Sequence, residues 1–348
     1  MTPSLSDYVL RPVRVEDIDA TIAMIDTLTD SITSLPRDPA LIEKRVHKSV
    51  RAFYPRISEP GDEQYLFVLE GPQGIVGTSG VIARVGGYEP FYTFEVVSES
   101  FTHEPLDIAH SLASLRLKAN HDGPSEMGSL YLRPDCRGAG VGRLLSLGRF
   151  PFMAQYPERF GQQILVELRG YLDDAGKSPF WENVARVFFE QEFNEADFLS
   201  GLGNKSFIRD LMPRHPLYIP LLPEAARKVI GKVHRDTRPA RALLETEGFA
   251  PNGEVDIFDG GPVLLAHTAN VRGIRDPRSL VIESLADEAD LPETPLIVSN
   301  GELDFRAVMG RVREVPDGRC VLAKTAAELL RRQPGDTVTV LSSKPAKN

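Results

Sequence analysis

The most informative part of the chain is LYLRPDCRGAGVGRLL, residues Leu130–Leu145. An apolar strand over Met127–Leu132 enters a loop with glycines at alternate positions, Gly138, Gly140 and Gly142, and a helix follows at once. Glycine permits positive φ and has no Cβ that would block an approaching anion. Successive backbone N–H groups can then point into one concavity beside a helix N-terminus. This arrangement predicts a cradle for a pyrophosphate group.

The spacing of the glycines excludes two common phosphate-binding loops. The dinucleotide fingerprint GxGxxG, started at Gly138, requires a third glycine where Arg143 stands. A mononucleotide loop that ends in Gly176-Lys177-Ser178 requires a glycine where Tyr171 stands. The pyrophosphate therefore belongs to another kind of cofactor or substrate.

The pattern that does fit is R-x-x-G-x-G, formed by Arg137, Gly140 and Gly142, and it resembles the coenzyme A loop of the GNAT acyltransferase superfamily. The resemblance implies that the strand before the loop offers backbone groups to the pantetheine arm, with Leu130 as the main contact. The expected coenzyme-binding residues are Leu130, Tyr131, Leu132, Arg137, Gly138, Ala139, Gly140, Val141 and Gly142.

The same resemblance implies an α+β fold, with a mixed central sheet flanked by helices. Leu10-Arg11-Pro12, followed by Asp17 and Ile18, resembles the opening strand and first helix of that fold. Ala242–Phe249 resembles its late junction between a helix and a strand. A second match over Asn183–Phe193 competes for that helix, so the sequence leaves open which one belongs to the core.

The chain is expected to form an acyltransferase domain over residues 1–275, with an insertion at about 178–235. Residues 276–295 are rich in Asp, Glu and Pro and are predicted to be a linker. Residues 296–348 are predicted to form a small β-rich unit with one helix, which a capping box at Thr325–Glu328 opens.

Composition narrows the class of protein. The 348 residues are 42% hydrophobic and carry a net charge of −9 without a long basic run, which argues against nucleic-acid and membrane partners. The two cysteines, Cys136 and Cys320, suffice neither for a disulfide framework nor for a zinc site. With no leader-like N-terminus and no apolar run of about 18 residues, we expect a cytoplasmic protein.

Longer sequence motifs make the resemblance more specific: the chain resembles the arginine N-succinyltransferase family. This similarity runs from about Leu10 to about Leu341. The motifs are Thr33-Ser34-Leu35-Pro36, Ser178-Pro179-Phe180-Trp181, Asp197-Phe198-Leu199-Ser200-Gly201, Leu211-Met212-Pro213-Arg214-His215-Pro216, Ile230-Gly231-Lys232-Val233-His234 and Asp256-Ile257-Phe258-Asp259-Gly260-Gly261-Pro262. The resemblance implies succinyl transfer from succinyl-CoA to the α-amine of arginine, the first step of a route of arginine degradation. It implies succinyl-CoA as co-substrate, no permanently bound cofactor or metal, and a homo-oligomer or paired subunits.

One departure from the family keeps alternatives open. Asp30-Ser31-Ile32 stands where the family often has glycines, in a loop expected to line the acceptor pocket. The acceptor could therefore be another amine such as ornithine, or the donor another acyl-CoA. A non-catalytic subunit that binds coenzyme A is the alternative from another class.

The reaction requires proton transfers, because a neutral amine must attack and the departing thiolate must be protonated. Histidine is the usual residue for such steps near neutral pH. The family resemblance assigns the proton donor to His234, while a histidine at a helix end could instead serve only the helix dipole. His215 is the next candidate.

The pocket must also bind the succinyl carboxylate and the substrate guanidinium, and charge complementarity suggests residues for both. Arg169 follows the apolar strand over Ile164–Leu168, and its guanidinium could bind the succinyl carboxylate. Asp256 and Asp259 are candidates for binding the substrate guanidinium. Asp259 also precedes glycine in a typical turn sequence, and the turn is the interpretation that the sequence favours.

Overall fold

A computed structural model describes residues 4–28, 35–54, 56–193, 195, 196, 199 and 205–344. Its strands, in chain order, are β1 (Val9–Pro12), β2 (Gln64–Gly71), β3 (Gly74–Ile82), β4 (Phe91–His103), β5 (Ile108–Asn120), β6 (Ser125–Leu132), β7 (Gln163–Glu167), β8 (Leu217–Tyr218), β9 (Ala250–Val255), β10 (Pro262–His267), β11 (Arg278–Ala286), β12 (Leu296–Ser299), β13 (Ala307–Gly310), β14 (Val312–Val315), β15 (Arg319–Ala323) and β16 (Thr337–Leu341).

The α-helices are mostly short. In chain order they are α1 (Ile18–Ile25), α2 (Pro39–Phe53), α3 (Val141–Leu147), α4 (Phe150–Gln155), α5 (Arg186–Phe189), α6 (Ser206–Leu211), α7 (Glu224–Arg227), α8 (Arg238–Glu247), α9 (Arg272–Arg275) and α10 (Lys324–Leu330). A π-helix over Trp181–Ala185 leads directly into α5. Strands pair both parallel, as β11 with β15, and antiparallel, as β2 with β3, so the predicted α+β class with a mixed sheet is confirmed.

The chain folds into two compact units. The first lies within Met1–Ala83, Met127–Gln162 and Thr268–Asn348, and the second is Arg84–Glu126 with Gln163–His267. In the first unit the strand order is β14-β15-β11-β16-β12-β13-β1-β2-β3, followed by the Met127–Leu132 part of β6.

Local sequence explains the helices that cover this sheet. The Asp38 carboxylate accepts hydrogen bonds from the N–H groups of Ala40 and Leu41, at 2.8 and 3.2 Å, and Pro39 is the first helical residue. Asp38 and Pro39 thus set the start of α2. Ile42 and Val46 of this helix are buried in a core with residues of α1 and β2.

The second unit contains β7, β10, β9, β4, β5 and β8, in that order across the sheet. Ser125 and Glu126 pair in parallel with Ile164 and Leu165 of β7. Its core is aromatic, with Phe180 and Trp181 fully buried. The predicted helix before Gly248 is α8, and Gly248 ends it in the left-handed conformation at φ 104°.

Three expectations need correction. The predicted linker 276–295 contains β11, which pairs with β15 and β16 and buries Leu280 and Ile282. The outer part of the long β4–β5 hairpin was not predicted, because its side chains are largely exposed there and give no apolar signal. The predicted capping box at Thr325–Glu328 is absent, since α10 begins at Lys324 and the Thr325 hydroxyl donates to Glu288 instead, at 2.7 Å.

Candidate functional site

The glycine-rich loop in the first unit has the backbone that the sequence predicted. After a short 3₁₀ turn over Pro134–Cys136, Gly138, Ala139 and Gly140 have φ values of 111°, 46° and 92°, and α3 follows. Three successive residues of positive φ turn the chain sharply at the start of the helix. Ala139 is a non-glycine residue in this region, a conformation that is uncommon and often marks functional loops.

The N–H groups of this loop are largely without internal partners. Within the described part of the chain, no residue accepts a hydrogen bond from the N–H groups of Gly138, Ala139, Gly140 or Gly142. The N–H of Val141, by contrast, donates to the carbonyl of Gly138 at 3.0 Å. Four N–H groups around one tight turn can bind anionic oxygen atoms. We refer to Arg137–Gly142 as the open loop.

Two predicted members of the loop have structural contacts of their own. The Arg137 side chain is exposed, and its Nε donates to the Leu132 carbonyl at 3.3 Å. Val141 is buried, so its side chain anchors α3 while its neighbours face solvent. Arg133 pairs with Asp135 at 2.6 Å, which leaves Arg137 as the more available cation beside the loop.

Strand β6 leads into the open loop and is itself irregular. Ser129 has a φ of 52° in the middle of the strand, where extended residues have negative φ. Leu130 follows it and is half-buried, whereas Tyr131 is buried and its hydroxyl lies 2.9 Å from Thr27 Oγ1. No sequence signal announced this irregularity, because serine is compatible with a regular strand.

In the second unit, His234 is fixed through its backbone and its ring. It is 8% exposed, and its N–H donates to the Arg169 carbonyl at 2.8 Å. Its Nδ1 accepts from the N–H of Asp236 at 3.3 Å. A neutral ring whose Nδ1 accepts carries its proton on Nε2.

The residues Asp256–Gly261 form a compact turn that binds the backbone segments next to Arg169 and His234. The Asp259 carboxylate accepts from the N–H of Gly170 at 2.6 Å and of Gly261 at 2.8 Å. The Gly260 carbonyl accepts from the N–H of Gly231 at 2.8 Å. The turn thus binds the chain on both sides of the Arg169–His234 contact, and we call it the closed turn.

Polar groups of the closed turn also form hydrogen bonds with one another. Asp256 Oδ1 accepts from the N–H groups of Phe258 and Asp259, both at 2.7 Å. Burial and the neighbouring Asp256 carboxylate raise the pKa of Asp259 to about 8. Because these two carboxylates bind backbone N–H groups within the turn, the structure supports the turn interpretation for Asp256 and Asp259 over a contact with the substrate guanidinium.

Glycine is required in the closed turn by close packing. A Cβ on Gly261 would lie 2.0 Å from the Leu168 carbonyl, and one on Gly170 would lie 2.4 Å from the Asp259 carbonyl. A Cβ on Gly138 of the open loop would meet nothing within 4 Å. Glycine therefore allows chain segments to pack closely at the closed turn, whereas in the open loop it leaves the backbone accessible from solvent.

The remaining candidates are distributed as follows. Arg169 is half-buried at the end of β7, and its carbonyl is the acceptor for His234. His215 is exposed. Several residues singled out from the sequence lie outside the described part of the chain. They are most of the motif Asp197–Gly201, the loop Asp30-Ser31-Ile32, and Thr33 and Ser34.

One acidic residue near this site was missed by sequence reasoning. Glu167 lies at the end of β7, two residues before Arg169, and is half-buried. Burial first, and then the Asp256 carboxylate, raise the pKa of Glu167 well above its ordinary value. The only sequence signal was a single acid within the apolar run Ile164–Leu168.

Neither a metal-binding cluster nor a membrane-spanning helix occurs in the described ranges. There, no group of three or more His, Cys, Asp or Glu side chains is arranged to hold a metal ion. In the same ranges no helix is both long and apolar enough to cross a bilayer.

The chain matches two family models. The model described as arginine N-succinyltransferase beta subunit matches residues 8–273, and the model of the C-terminal domain of that subunit matches residues 278–342. Together they include both the open loop and the closed turn.

Relatives and a solved structure agree with these matches. An arginine N-succinyltransferase of Yersinia pseudotuberculosis is 40% identical over 342 residues, 96% of this chain and 97% of the relative. An arginine N-succinyltransferase subunit beta of Pseudomonas aeruginosa is 39% identical over 331 residues, 95% of this chain and 96% of the relative. The solved arginine/ornithine succinyltransferase subunit AI of Pseudomonas aeruginosa superposes with a TM-score of 0.87 at 33% identity, covering 97% of this chain and 99% of that one.

Proposed function

Since the chain belongs to the arginine N-succinyltransferase family, we propose that it transfers the succinyl group of succinyl-CoA to the α-amine of L-arginine, giving N2-succinylarginine and coenzyme A. The observation that carries the proposal is similarity along nearly the whole chain to arginine N-succinyltransferases, at 40% identity over 342 residues. Both substrates are cytoplasmic metabolites, so we expect the reaction in the cytoplasm.

Coenzyme A binding is assigned to the first unit. The open loop would bind the pyrophosphate through the N–H groups of Gly138, Ala139, Gly140 and Gly142, which have no acceptor among the described residues. Leu130 and its strand neighbours would contact the pantetheine arm. Succinyl-CoA binds and coenzyme A leaves in each turnover, so succinyl-CoA acts as a co-substrate.

His234 is proposed to protonate the leaving thiolate. The neutral α-amine attacks the thioester carbon, a C–N bond forms, and the C–S bond breaks as the tetrahedral intermediate collapses. The amine nitrogen loses one proton and the sulfur gains one. A protonated histidine ring can supply the second and regain a proton from the amine nitrogen, and the hydrogen bond at its backbone N–H holds it in place.

Arg169 is proposed to bind the succinyl carboxylate. Its position next to the backbone contact that holds His234 would bring a guanidinium close to the reacting end of the acyl group. Asp256 and Asp259 act indirectly in this scheme, because their carboxylates hold the backbone that carries Arg169 and His234.

Two alternatives have specific support. The solved relative is described as an arginine/ornithine succinyltransferase, which favours ornithine as a second acceptor. Relatives described as subunits favour an assembly, either of copies of this chain or of paired subunits, and one partner could then be non-catalytic.

One assay separates these possibilities. Release of free thiol from succinyl-CoA is followed with arginine, with ornithine and without an amine, and the product is identified by mass. The proposal predicts release that depends on arginine, with N2-succinylarginine as product. Release with another amine only would change the acceptor, and coenzyme A binding without any release would indicate the non-catalytic subunit.

A further inference from the structure

Arg149 is a buried cation that the proposed reaction does not use. It lies between α3 and α4 and is 2% exposed, and no carboxylate of the described residues forms an ion pair with it. Its guanidinium donates only to backbone carbonyls: Nε to Ser146 at 3.1 Å, and Nη1 to Gly80 at 2.6 Å and to Gly128 at 3.3 Å. Burial lowers its pKa to about 9. Burying a cation without a counter-ion is unfavourable, so its position calls for an explanation.

The carbonyls that Arg149 binds lie where β6 is irregular. Gly128 directly precedes Ser129, the residue with a φ of 52°, and Gly80 lies on the adjacent strand β3. A Cβ on Gly80 would lie 3.1 Å from Ser129 Oγ, so the two strands approach closely at this point.

Two other side chains hold the same residue. Thr78 Oγ1 donates to the Ser129 carbonyl at 2.9 Å, and Arg45 Nη2 donates to Ser129 Oγ at 2.8 Å. A non-glycine residue keeps positive φ within a strand only when its surroundings enforce it, and such residues are concentrated at ligand-binding sites. The next residue along the strand is Leu130.

Another buried arginine of the same unit provides a comparison. Arg159 is 3% exposed, and its Nη1 donates to the Ala52 carbonyl at 3.0 Å and to the Tyr65 hydroxyl at 3.3 Å. These contacts join the end of α2 to β2 in regular structure. Arg159 therefore represents a buried arginine that braces the fold through its contacts with Ala52 and Tyr65.

We propose that Arg149 is a positioning residue for acyl-CoA: by binding the Gly80 and Gly128 carbonyls it fixes the backbone at Ser129 so that Leu130 is presented to the pantetheine amides. This inference rests on the proposed function, because it assumes that Leu130 contacts coenzyme A. The recognised chemistry is that of the secondary amides of pantetheine, which are common to every acyl-CoA.

The test measures binding of coenzyme A itself by calorimetry, together with thermal unfolding, in Arg149→Met, Arg149→Lys and Arg159→Met. Both methionine variants should lose stability. Only Arg149→Met should weaken coenzyme A binding, by about tenfold, the effect of losing one or two hydrogen bonds. Arg149→Lys, which keeps a cationic donor, should recover part of that affinity.

A milder variant keeps the test decisive if Arg149→Met does not fold. Thr78→Val removes only the hydroxyl that binds the Ser129 carbonyl, and it should weaken coenzyme A binding several-fold in a folded protein. Unchanged affinity in folded Thr78→Val, or equal losses in Arg149→Met and Arg159→Met, would overturn the inference. Failure of the wild-type protein to bind coenzyme A would instead contradict the proposed function.

Discussion

The open loop and the closed turn are both rich in glycine, yet their backbone N–H groups are used in opposite ways. In the open loop, the N–H groups of Gly138, Ala139, Gly140 and Gly142 have no acceptor among the described residues. In the closed turn, the N–H groups of Asp256, Phe258, Asp259, Gly260 and Gly261 all donate to acceptors within the turn. A glycine-rich segment thus predicts a ligand site only when its N–H groups lack internal acceptors.

The two segments also differ in the parts of the chain that they bind. The closed turn binds Gly170 and Gly231, which flank the backbone contact between Arg169 and His234. In the open loop, the Arg137 Nε donates to the Leu132 carbonyl of its own strand, and the Val141 side chain is buried. We infer that the closed turn positions a catalytic group, whereas the open loop receives a ligand.

The largest effect on catalysis is expected at the residue that the closed turn holds. His234→Gln keeps a similar shape but cannot titrate, so kcat should fall by about 10²–10⁴-fold, the usual range for loss of a general acid or base. Coenzyme A affinity should change little. Steady-state kinetics over pH 5–9 would test this, and near-normal kcat with an unchanged pH profile would transfer the role to another group such as His215.

The largest effect on stability is expected from a methyl group in the closed turn. Gly261→Ala places Cβ where the Leu168 carbonyl lies, 2.0 Å away, and should lower the free energy of unfolding by about 3 kcal/mol. Gly142→Ala is the matched control in the open loop, because its nearest neighbour, Leu132 Cδ2, would be 3.8 Å away. Equal urea midpoints for the two variants would remove the distinction between closed and open.

A smaller effect is expected on binding to the open loop. Gly140 has a φ of 92°, and Gly140→Val introduces both backbone strain and a branched side chain beside the expected pyrophosphate. The KM for succinyl-CoA should rise by about tenfold while the KM for arginine changes little, as expected for loss of one or two hydrogen bonds to an anion. A folded Gly140→Val protein with wild-type affinity for coenzyme A would exclude the loop as the binding site.

Donor preference gives a comparable test in the second unit. If the Arg169 guanidinium binds the succinyl carboxylate, Arg169→Ala should reduce the preference for succinyl-CoA over acetyl-CoA by about tenfold or more, since a hydrogen bond to a charged group contributes about 1.5–3 kcal/mol. The ratio of kcat/KM for the two donors measures it. An equal loss with both would assign Arg169 a structural role.

The smallest effect concerns pH and stability. The pKa of Asp259 is raised to about 8, so the folded state binds its proton more tightly than the unfolded state does. Stability from this group is complete below about pH 4 and is lost as pH rises towards 8. Asp259→Asn should therefore flatten the fall in urea midpoint between pH 5 and pH 8. The raised pKa of Asp256 accounts for a remaining slope, and an unaltered slope would contradict the account.

Local signals in the sequence were sufficient for much of the fold and for the open loop. The end of α8 at Gly248 and the strand–loop–helix around Gly140 each depend on neighbouring residues, and each agrees with the structure. Strand β11 was missed although Leu280, Val281 and Ile282 form an apolar run, because the acidic and proline-rich residues around it suggested a linker.

Contacts between distant residues could not be predicted in this way. The bond from the Gly170 N–H to Asp259 spans 89 residues, so the sequence presented Asp259 only as a carboxylate near a turn. The conformation of Ser129 depends on Arg45 and Thr78, 84 and 51 residues away. Such positions acquire their role from packing that no local pattern records.

Coenzyme A is expected to bind the loop N–H groups that have no acceptor among the described residues. Spectra of protein labelled with ¹⁵N-glycine, recorded during titration with coenzyme A, test it most directly. We expect large amide shifts for Gly138, Gly140 and Gly142, and small ones for Gly260 and Gly261. Shifts confined to Gly260 and Gly261, with the three loop glycines unmoved at saturation, would contradict it.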